Sequence, residues 1–542
     1  MTRPVNTVTT PQRRDAYLGA GTWDGTTLPQ RVARHAAERG TGLAVVDLRG
    51  GRTRSWTQLW EGARRVAGFL RSVGVRPGDV VSVQLPNWYE TVVVDLGVLT
   101  AGAVLNPLLP IYRERELRHV LGTSEARVLV TPVTYRGFDH AGLAETLRET
   151  VPTLEHTLAI DDPDGNADAF ASWLGEQSGL DLDPTADPPA PAEAVSELIF
   201  TSGTEAQPKA IMHTEQTANF SVRTIHASLG MNADDVVWMP SPIGHSTGFN
   251  FGVRLALYHG LPLVLQDRWD ATVAADLIEG CRCTYTMAAT TFVNDLVHSD
   301  AARARDLSTM RLFTCGGAPV PAEVVEAAGR MGITVLRLYG STEALVVTCV
   351  RPGSAAEKVI GTDGRPLDDI EIEVRDDDGR AVIGEPGEIW VRGPNTSVGF
   401  FVDPERTAQT YEASGWVRSG DIGVHDEDGF LTIVGRKKEI IIRGGLNIAP
   451  REIEDVVGLH PAVADVAVVG LSSERLGEQT CACVVLRDGA EPIGLAELVA
   501  FLKEQGLAAY KLPERLELLE ALPRTSSGKV KKFEIVAEIA TR

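Results

Sequence analysis

Cysteine is scarce in this chain, with six residues in 542. Four of them form two C-x-C pairs, Cys281/Cys283 and Cys481/Cys483, set in apolar runs such as TCACVVL. Zinc-type C-x-x-C spacing and a disulfide framework are both missing, so the expectation is buried thiols in a reducing cytoplasm. Alternate residues of a strand share a face, so each pair reads as two thiols facing one core. Positive charge is also short. Lys and Arg number 52 against 73 Asp and Glu, a formal net charge of −21. That argues against nonspecific binding to nucleic acid or anionic lipid, while leaving room for a local basic pocket. No apolar run approaches the roughly 18 residues of a membrane span. The opening MTRPVNTVTTPQRRDAY has no apolar core of a secretory signal, so none is expected.

What is present is ordinary for a globular protein: 43% hydrophobic and 23% charged residues. The length is too great for one compact core, which predicts two or more domains. Over the first 180 or so residues, helical and strand-like patterns alternate. Leu59, Ala63, Val66, Ala67 and Leu70 share a helical face, with Gly74 as its C-terminal cap. VVSVQL (80–85) and RVLV (127–130) read as buried strands. The alternation predicts an α/β fold with parallel strands. The proline-rich DPTADPPAPAE (183–193) reads as a surface connection. The stretch 359–434 carries short β-prone runs and predicts a β-rich subdomain. Beyond the charged RKKE, the last hundred residues read as a compact α+β unit with strands VADVAVVG and ACVVLRD and an amphipathic helix near 494–505. The boundary is expected at Arg436–Lys438, giving domains 1–436 and 437–542, and no internal repeat is found.

The strand-like LIF (198–200) runs into FTSGTEAQPKA (200–210). Ligands of α/β sheets gather at the carboxyl ends of strands. This stretch is not a Walker loop, and neither is SSGKV (526–530), where Val530 follows Lys529. Two readings stay open from the loop alone. One is a polar turn. The other is a phosphate loop whose backbone N–H groups and hydroxyls cradle anions, with Lys209 as a point charge.

Six segments in order change the weight of that choice. YGSTE (339–343), CGGAPV (315–320), GEIWVRGP (387–394), GWVRSGD (415–421), GRKKEIIIRGG (435–445) and PRTSSGKVKK (523–532) join the loop. Together they resemble the signatures of the adenylate-forming superfamily, which includes acyl-CoA synthetases, peptide-synthetase adenylation domains and luciferases. The resemblance spans about residues 30 to 535. It implies a large N-terminal domain of α/β subdomains with a β-rich subdomain, and a small mobile C-terminal α+β domain. It also implies a two-step reaction. A carboxylate attacks the α-phosphate of ATP, giving an acyl-adenylate and pyrophosphate, and a second nucleophile then displaces AMP.

The resemblance further implies roles. Thr201, Ser202, Gly203, Thr204 and Lys209 would hold the triphosphate, with Tyr339 against adenine and Gly317, Ala318 and Pro319 lining the base. Thr342 would meet the α-phosphate and Glu343 would help hold Mg²⁺, a hard cation suited to phosphate oxygens. Asp421 would accept from the ribose hydroxyls beside Arg436, and Lys529 would reach the α-phosphate and the acyl carboxylate. Lys438 falls at the hinge position, and Gly444 and Gly445 at an acceptor tunnel. The loop departs from the usual T-S-G-T-T-G-x-P-K-G at Glu205, Ala206 and Ala210. A glutamate there must face solvent or meet phosphate through Mg²⁺ or Lys209, and Ala206 resists a positive φ. A nucleotide-binding pseudoenzyme is the contrary reading, opposed by the retained Lys529, Glu343 and Asp421.

In SPIGHSTGF (241–249), His245 takes the place of the side chain beside the acyl carboxylate. The next position, an aspartate in amino-acid-activating relatives and asparagine in hydroxybenzoate-activating ones, is Ser246. That favours a neutral-tailed carboxylic acid. Coenzyme A is the expected acceptor. A carrier protein, an amine, or nitrite activation for diazotisation stay open, as does homodimerisation.

Overall fold

The computed structural model describes residues 8–47, 49–161, 167–176, 190–201, 208–316, 320–443, 446–473, 477–525 and 528–540. These form two compact units. The larger holds the chain up to Thr201, then to Glu371, and Val391–Val417. The smaller holds Ile372–Trp390 and the chain from Arg418 onward.

Two sheets dominate the larger unit. One has nine strands. Leu312–Gly316 lies between Tyr285–Met287 and Thr334–Ser341, all parallel, and Leu345–Cys349 returns antiparallel beside the last. The second has six strands, in the order Lys209–Thr214, Val195–Thr201, Val104–Pro107, Val80–Val83, Val128–Pro132 and His156–Ile160. Parallel pairing prevails, as the alternating pattern predicts, but the Val195–Thr201 and Lys209–Thr214 pair is an antiparallel hairpin.

Helix formation follows local signals. Trp56–Ser72 starts on Ser55, whose side chain accepts from the Gln58 N–H while Gln58 answers in a capping box. Its apolar face is buried, and Gly74 just beyond its end has φ +87°, a left-handed conformation that glycine adopts at no steric cost. Tyr89–Thr100 is apolar nearly all round and buried at every position. It touches strands of both sheets, the environment that such a helix requires. Glu215–Ser228 also touches both sheets, yet its buried residues include Glu215, Gln216, Thr217 and Asn219. Polar groups so placed call for partners, and Thr217, Asn219 and one carboxylate oxygen of Glu215 find them at the site described below.

A four-stranded sheet, Glu371–Arg375, Gly387–Arg392, Val417–His425 and Leu431–Arg436, has most of its residues in the smaller unit. A second sheet is centred on Gly477–Leu486, which pairs antiparallel with Val463–Ser473 and Ile441–Arg443 and parallel with Arg515–Leu518. Alternation along the strands splits its core in two. Val468, Ala482 and Val484 pack against the helices Pro450–Val457 and Leu495–Glu504, while Val469, Cys481 and Cys483 pack against Lys532–Ala540. Cys481 and Cys483 thus share a buried face, with their sulfurs 3.9 Å apart. The other pair departs from expectation. Cys281 ends the helix Ala271–Cys281 and is half-buried, and only Cys283 enters the core. An apolar run alone does not distinguish a helix end from a strand.

Candidate active site

The phosphate hairpin is the starting point. Val195–Thr201 ends in Thr201, Lys209–Thr214 begins with Lys209, and the two residues are Cα partners across the ladder. Ser202, Gly203, Thr204, Glu205 and Ala206 lie outside the described residues. Residues 398–401 run along the other edge of Lys209–Thr214. Val398 N–H donates to Met212 O (2.9 Å), Met212 N–H to Gly399 O (3.0 Å), and Phe401 N–H to Ala210 O (2.9 Å). The strand is therefore clamped on both sides.

Four residues after Lys209 stands His213, fully buried. Its Nε2 lies 2.7 Å from the carbonyl oxygen of Thr342 and its Nδ1 lies 3.1 Å from Thr217 Oγ1. A carbonyl can only accept, so Nε2 carries the proton. Burial pushes the imidazole down to about 4. Arg254 pushes in the same direction, and the bond to Thr342 opposes it. The ring is neutral at physiological pH. No sequence pattern marked this residue, and its only signal was a polar side chain in the apolar strand KAIMHT.

Thr342 and Glu343 occupy the turn between Thr334–Ser341 and Leu345–Cys349, directly after Tyr339, which is buried. Gly340 makes the turn possible, because a Cβ there would collide with the Leu345 carbonyl. The turn is held from below. Ser397 N–H donates to Glu343 O (2.7 Å), and the Asn395 amide donates to Ala344 O and Val346 O. Ser397 Oγ bonds the Tyr411 hydroxyl, whose pKa is raised by burial and by the nearby Glu343 carboxylate. Gly317, Ala318 and Pro319 lie outside the described residues. They follow Leu312–Gly316, whose Gly316 pairs in register with Leu338, next to Tyr339.

A second buried network builds the turn at His245 and Ser246. His245 precedes the short helix Ser246–Gly248, and its Nδ1 accepts from the Thr247 N–H (3.2 Å). Ser246 is buried. The helix continues as a π-helix, Phe249–Arg254. Asn250 on this segment donates to Glu197 Oε1 (3.0 Å) and approaches Ser246 Oγ (3.4 Å). Arg254, with no exposed surface, donates to Asn250 Oδ1, Asn219 Oδ1 and Glu215 Oε2, each at 2.9 Å. One buried cation faces more carboxyls than it can balance. Burial pushes Glu197 up to about 7 against the pull of Arg254 and Asn250. Asp95, buried in Tyr89–Thr100, is raised well above the usual carboxyl range by burial and then by Glu197.

The two networks meet at one rung. His213 and Glu197 are Cα partners in the hairpin. His213 holds the Thr342 turn, and Glu197, through Asn250, holds the Ser246 turn.

In the smaller unit, Asp421 and Arg436 are cross-strand partners, with Arg436 Nε 3.2 Å from Asp421 Oδ1. Asp421 is buried. Lys438 lies on the exposed 3₁₀ turn Lys437–Glu439. Lys529 is exposed and follows a tight loop in which its N–H donates to Thr525 Oγ1 (3.1 Å) and its carbonyl accepts from Thr525 N–H (2.7 Å). Gly444 and Gly445 lie outside the described residues. No described helix is long and apolar enough to cross a membrane.

Two large sheets with helices between them, the Thr201/Lys209 hairpin in one and the Tyr-Gly-Ser-Thr-Glu turn in the other, fit an adenylate-forming ligase. Residues 32–401 match the AMP-binding enzyme family and residues 452–529 match the AMP-binding enzyme C-terminal domain, and the chain belongs to this family. It is 36% identical over 537 residues to the medium-chain fatty-acid–CoA ligase of Escherichia coli (strain K12), covering 98% of this chain and 94% of that one. It is 34% identical over 541 residues to the salicyl-AMP ligase / salicyl-S-ArCP synthetase of Mycobacterium tuberculosis, covering 97% and 93%. Among solved structures, ATP-bound MatB from Rhodopseudomonas palustris superposes with a TM-score of 0.84 at 27% identity, covering 95% of this chain and 99% of that one.

Proposed function

We propose that the protein activates a neutral-tailed carboxylic acid as its acyl-adenylate and transfers the acyl group to coenzyme A. The observation that carries this reading is the shared rung. One register position of the phosphate hairpin fixes both the turn assigned to the α-phosphate and the turn assigned to the acid. A carboxylate and a phosphorus must be held in line for attack, and a common rigid support for the two turns serves that need.

In the first step a carboxylate oxygen of the acid bonds to the α-phosphorus and the bond to pyrophosphate breaks. In this reading Lys209 balances triphosphate charge, Thr342 donates to the α-phosphate, and Lys529 offsets the charge that grows in the transition state. In the second step a thiolate attacks the acyl carbonyl, AMP leaves with the bonding pair, and the thiol proton passes to solvent. No group of three metal-ligating side chains gathers among the described residues. Mg²⁺ ordinarily binds through one or two carboxylates and takes its other ligands from phosphate and water, and Glu343 fits that pattern. When bound, the ion would neutralise phosphate charge.

Buried Ser246 offers an acid no counter-charge, and Asn250 and Arg254 already engage the nearest acidic group, Glu197. A substrate ammonium would therefore stay unpaired at high cost. Coenzyme A is supported by the fatty-acid–CoA ligase among the relatives. The test is mass spectrometry of reactions holding ATP, Mg²⁺ and a panel of acids, with coenzyme A present or absent. AMP and an acyl-CoA are expected. Acyl-adenylate that accumulates unchanged when coenzyme A is added would reject coenzyme A as acceptor, and no AMP with any acid would reject the adenylation reading.

A further inference from the structure

We infer that His213 is a positioning residue for adenylation, acting through the Thr342 carbonyl to aim the Thr342 hydroxyl and the Glu343 carboxylate at the reacting phosphate. The inference rests on the role proposed above for the Thr342 turn. Four observations support it. The contact of 2.7 Å is short and leaves no space for water. The donor is fixed, because Thr217 engages the opposite ring nitrogen at 3.1 Å from the helix Glu215–Ser228, which is itself packed against both sheets. The strand that carries the ring is paired on both edges. The turn it grips has a bulge between Tyr339 and Gly340, so its ladder alone does not set where Thr342 lies.

The chemical logic is one of timing. The α-phosphate gains its extra negative charge only in the transition state. A hydroxyl aimed at that site must already be in place, because reorganising it during the reaction would raise the barrier. A neutral imidazole suits the task, since it donates one directed bond and adds no charge beside buried Arg254.

The test is a double-mutant cycle on the full-length enzyme. His213→Leu removes the donor at similar volume, and His213→Gln keeps an N–H near Nε2. Thr342→Val removes the hydroxyl that His213 is said to aim. Adenylation is followed as acid-dependent pyrophosphate release, with thermal melting recorded for every variant. His213→Leu is expected to lower kcat about 10- to 100-fold, with a smaller change in KM for ATP. His213→Gln should recover most of that rate. In the Thr342→Val background, where only the Glu343 share is left to lose, His213→Leu should cost clearly less than in the wild type. An equal loss in both backgrounds, or a fall that follows the melting temperature and is not recovered by glutamine, would overturn the inference and leave His213 a packing residue. Wild-type protein that releases no pyrophosphate with any acid would overturn the adenylation reading itself, and the role of Thr342 with it.

Discussion

Two lysines assigned to the same reaction sit in opposite settings. Lys209 opens a strand whose next residues, Ala210 to His213, are all buried and whose two edges are both paired. Lys529 is exposed, and its backbone N–H and carbonyl both bond to Thr525, four residues back. The difference fits the two tasks proposed for them. Holding a triphosphate through the whole cycle calls for a support that does not move, and a strand inside a core provides it. Stabilising charge that exists for one step calls for a group that can arrive and leave, and an exposed loop can be carried away without opening any core.

The sharpest way to break this contrast is Lys529→Ala. It should lower adenylation by about 10²–10³, the usual cost of removing one well-placed stabiliser of transition-state charge. Thioester formation from a supplied acyl-adenylate should survive, and ATP affinity should change little. Both half-reactions are measured on one preparation, with circular dichroism as the control for folding. If they fall together, Lys529 serves both steps and the division of tasks is wrong.

Lys438→Pro is the next largest. The exposed turn Lys437–Glu439 is proposed as the hinge, and proline fixes φ. Thioester formation should fall by roughly an order of magnitude while adenylation holds. Equal losses would show that no change of dihedrals at this turn divides the two steps.

The buried side of the comparison should reveal itself through pH. His213, and His259 at the end of the short helix Leu255–His259 with its ring stacked on His226, are pushed down to about 4 and about 3 from an ordinary value near 6.5; burial is the main cause in each, and His226 adds to it at His259. Below pH 6.5 the unfolded chain takes up protons that the folded chain refuses. Their contribution is thus complete above about 6.5 and is lost as pH falls through about 4 for His213 and about 3 for His259. Urea denaturation at several pH values should show this slope, and His259→Gln should flatten it. An unchanged slope would mean that the ring protonates in place.

The smallest effect expected is on the exposed side. Arg436→Gln breaks the pair with Asp421, but the arginine is 44% exposed, so stability should fall by less than about 1 kcal/mol. The KM for ATP should rise instead. A large drop in melting temperature with KM unchanged would make the pair structural.

Most of the architecture could be read from the chain before any coordinates. The ordered motifs marked Lys209, Tyr339, Thr342 and Glu343, and the structure sets Lys209 opening one strand and the other three at the end of another. The helix over Leu59 to Leu70 and the strands near 80 and 128 follow their periodicity. What stayed hidden was pairing between distant buried polar residues. Nothing local to His213 indicates Thr342, 129 positions away, and nothing local to Glu197 indicates Asn250. Such partners are chosen by packing, because a buried polar group must be satisfied by whatever the fold brings within reach. The π-turn is hidden for a related reason, since FNFGVR has an apolar pattern that fits more than one helical winding.

That winding has a bearing on how the enzyme's preference can change over generations. A helix advances by about 100° per residue, so gaining or losing one residue re-aims every side chain beyond it. The segment Phe249–Arg254 runs from just beyond Ser246, on the turn assigned to the acid, to Arg254, the anchor of the buried network. Lineages that insert or delete a single codon here could rotate the pocket wall against its anchor in one event. Substrate choice in descendants of this chain would then shift by indels in a place where point substitutions must first dismantle a buried ion cluster.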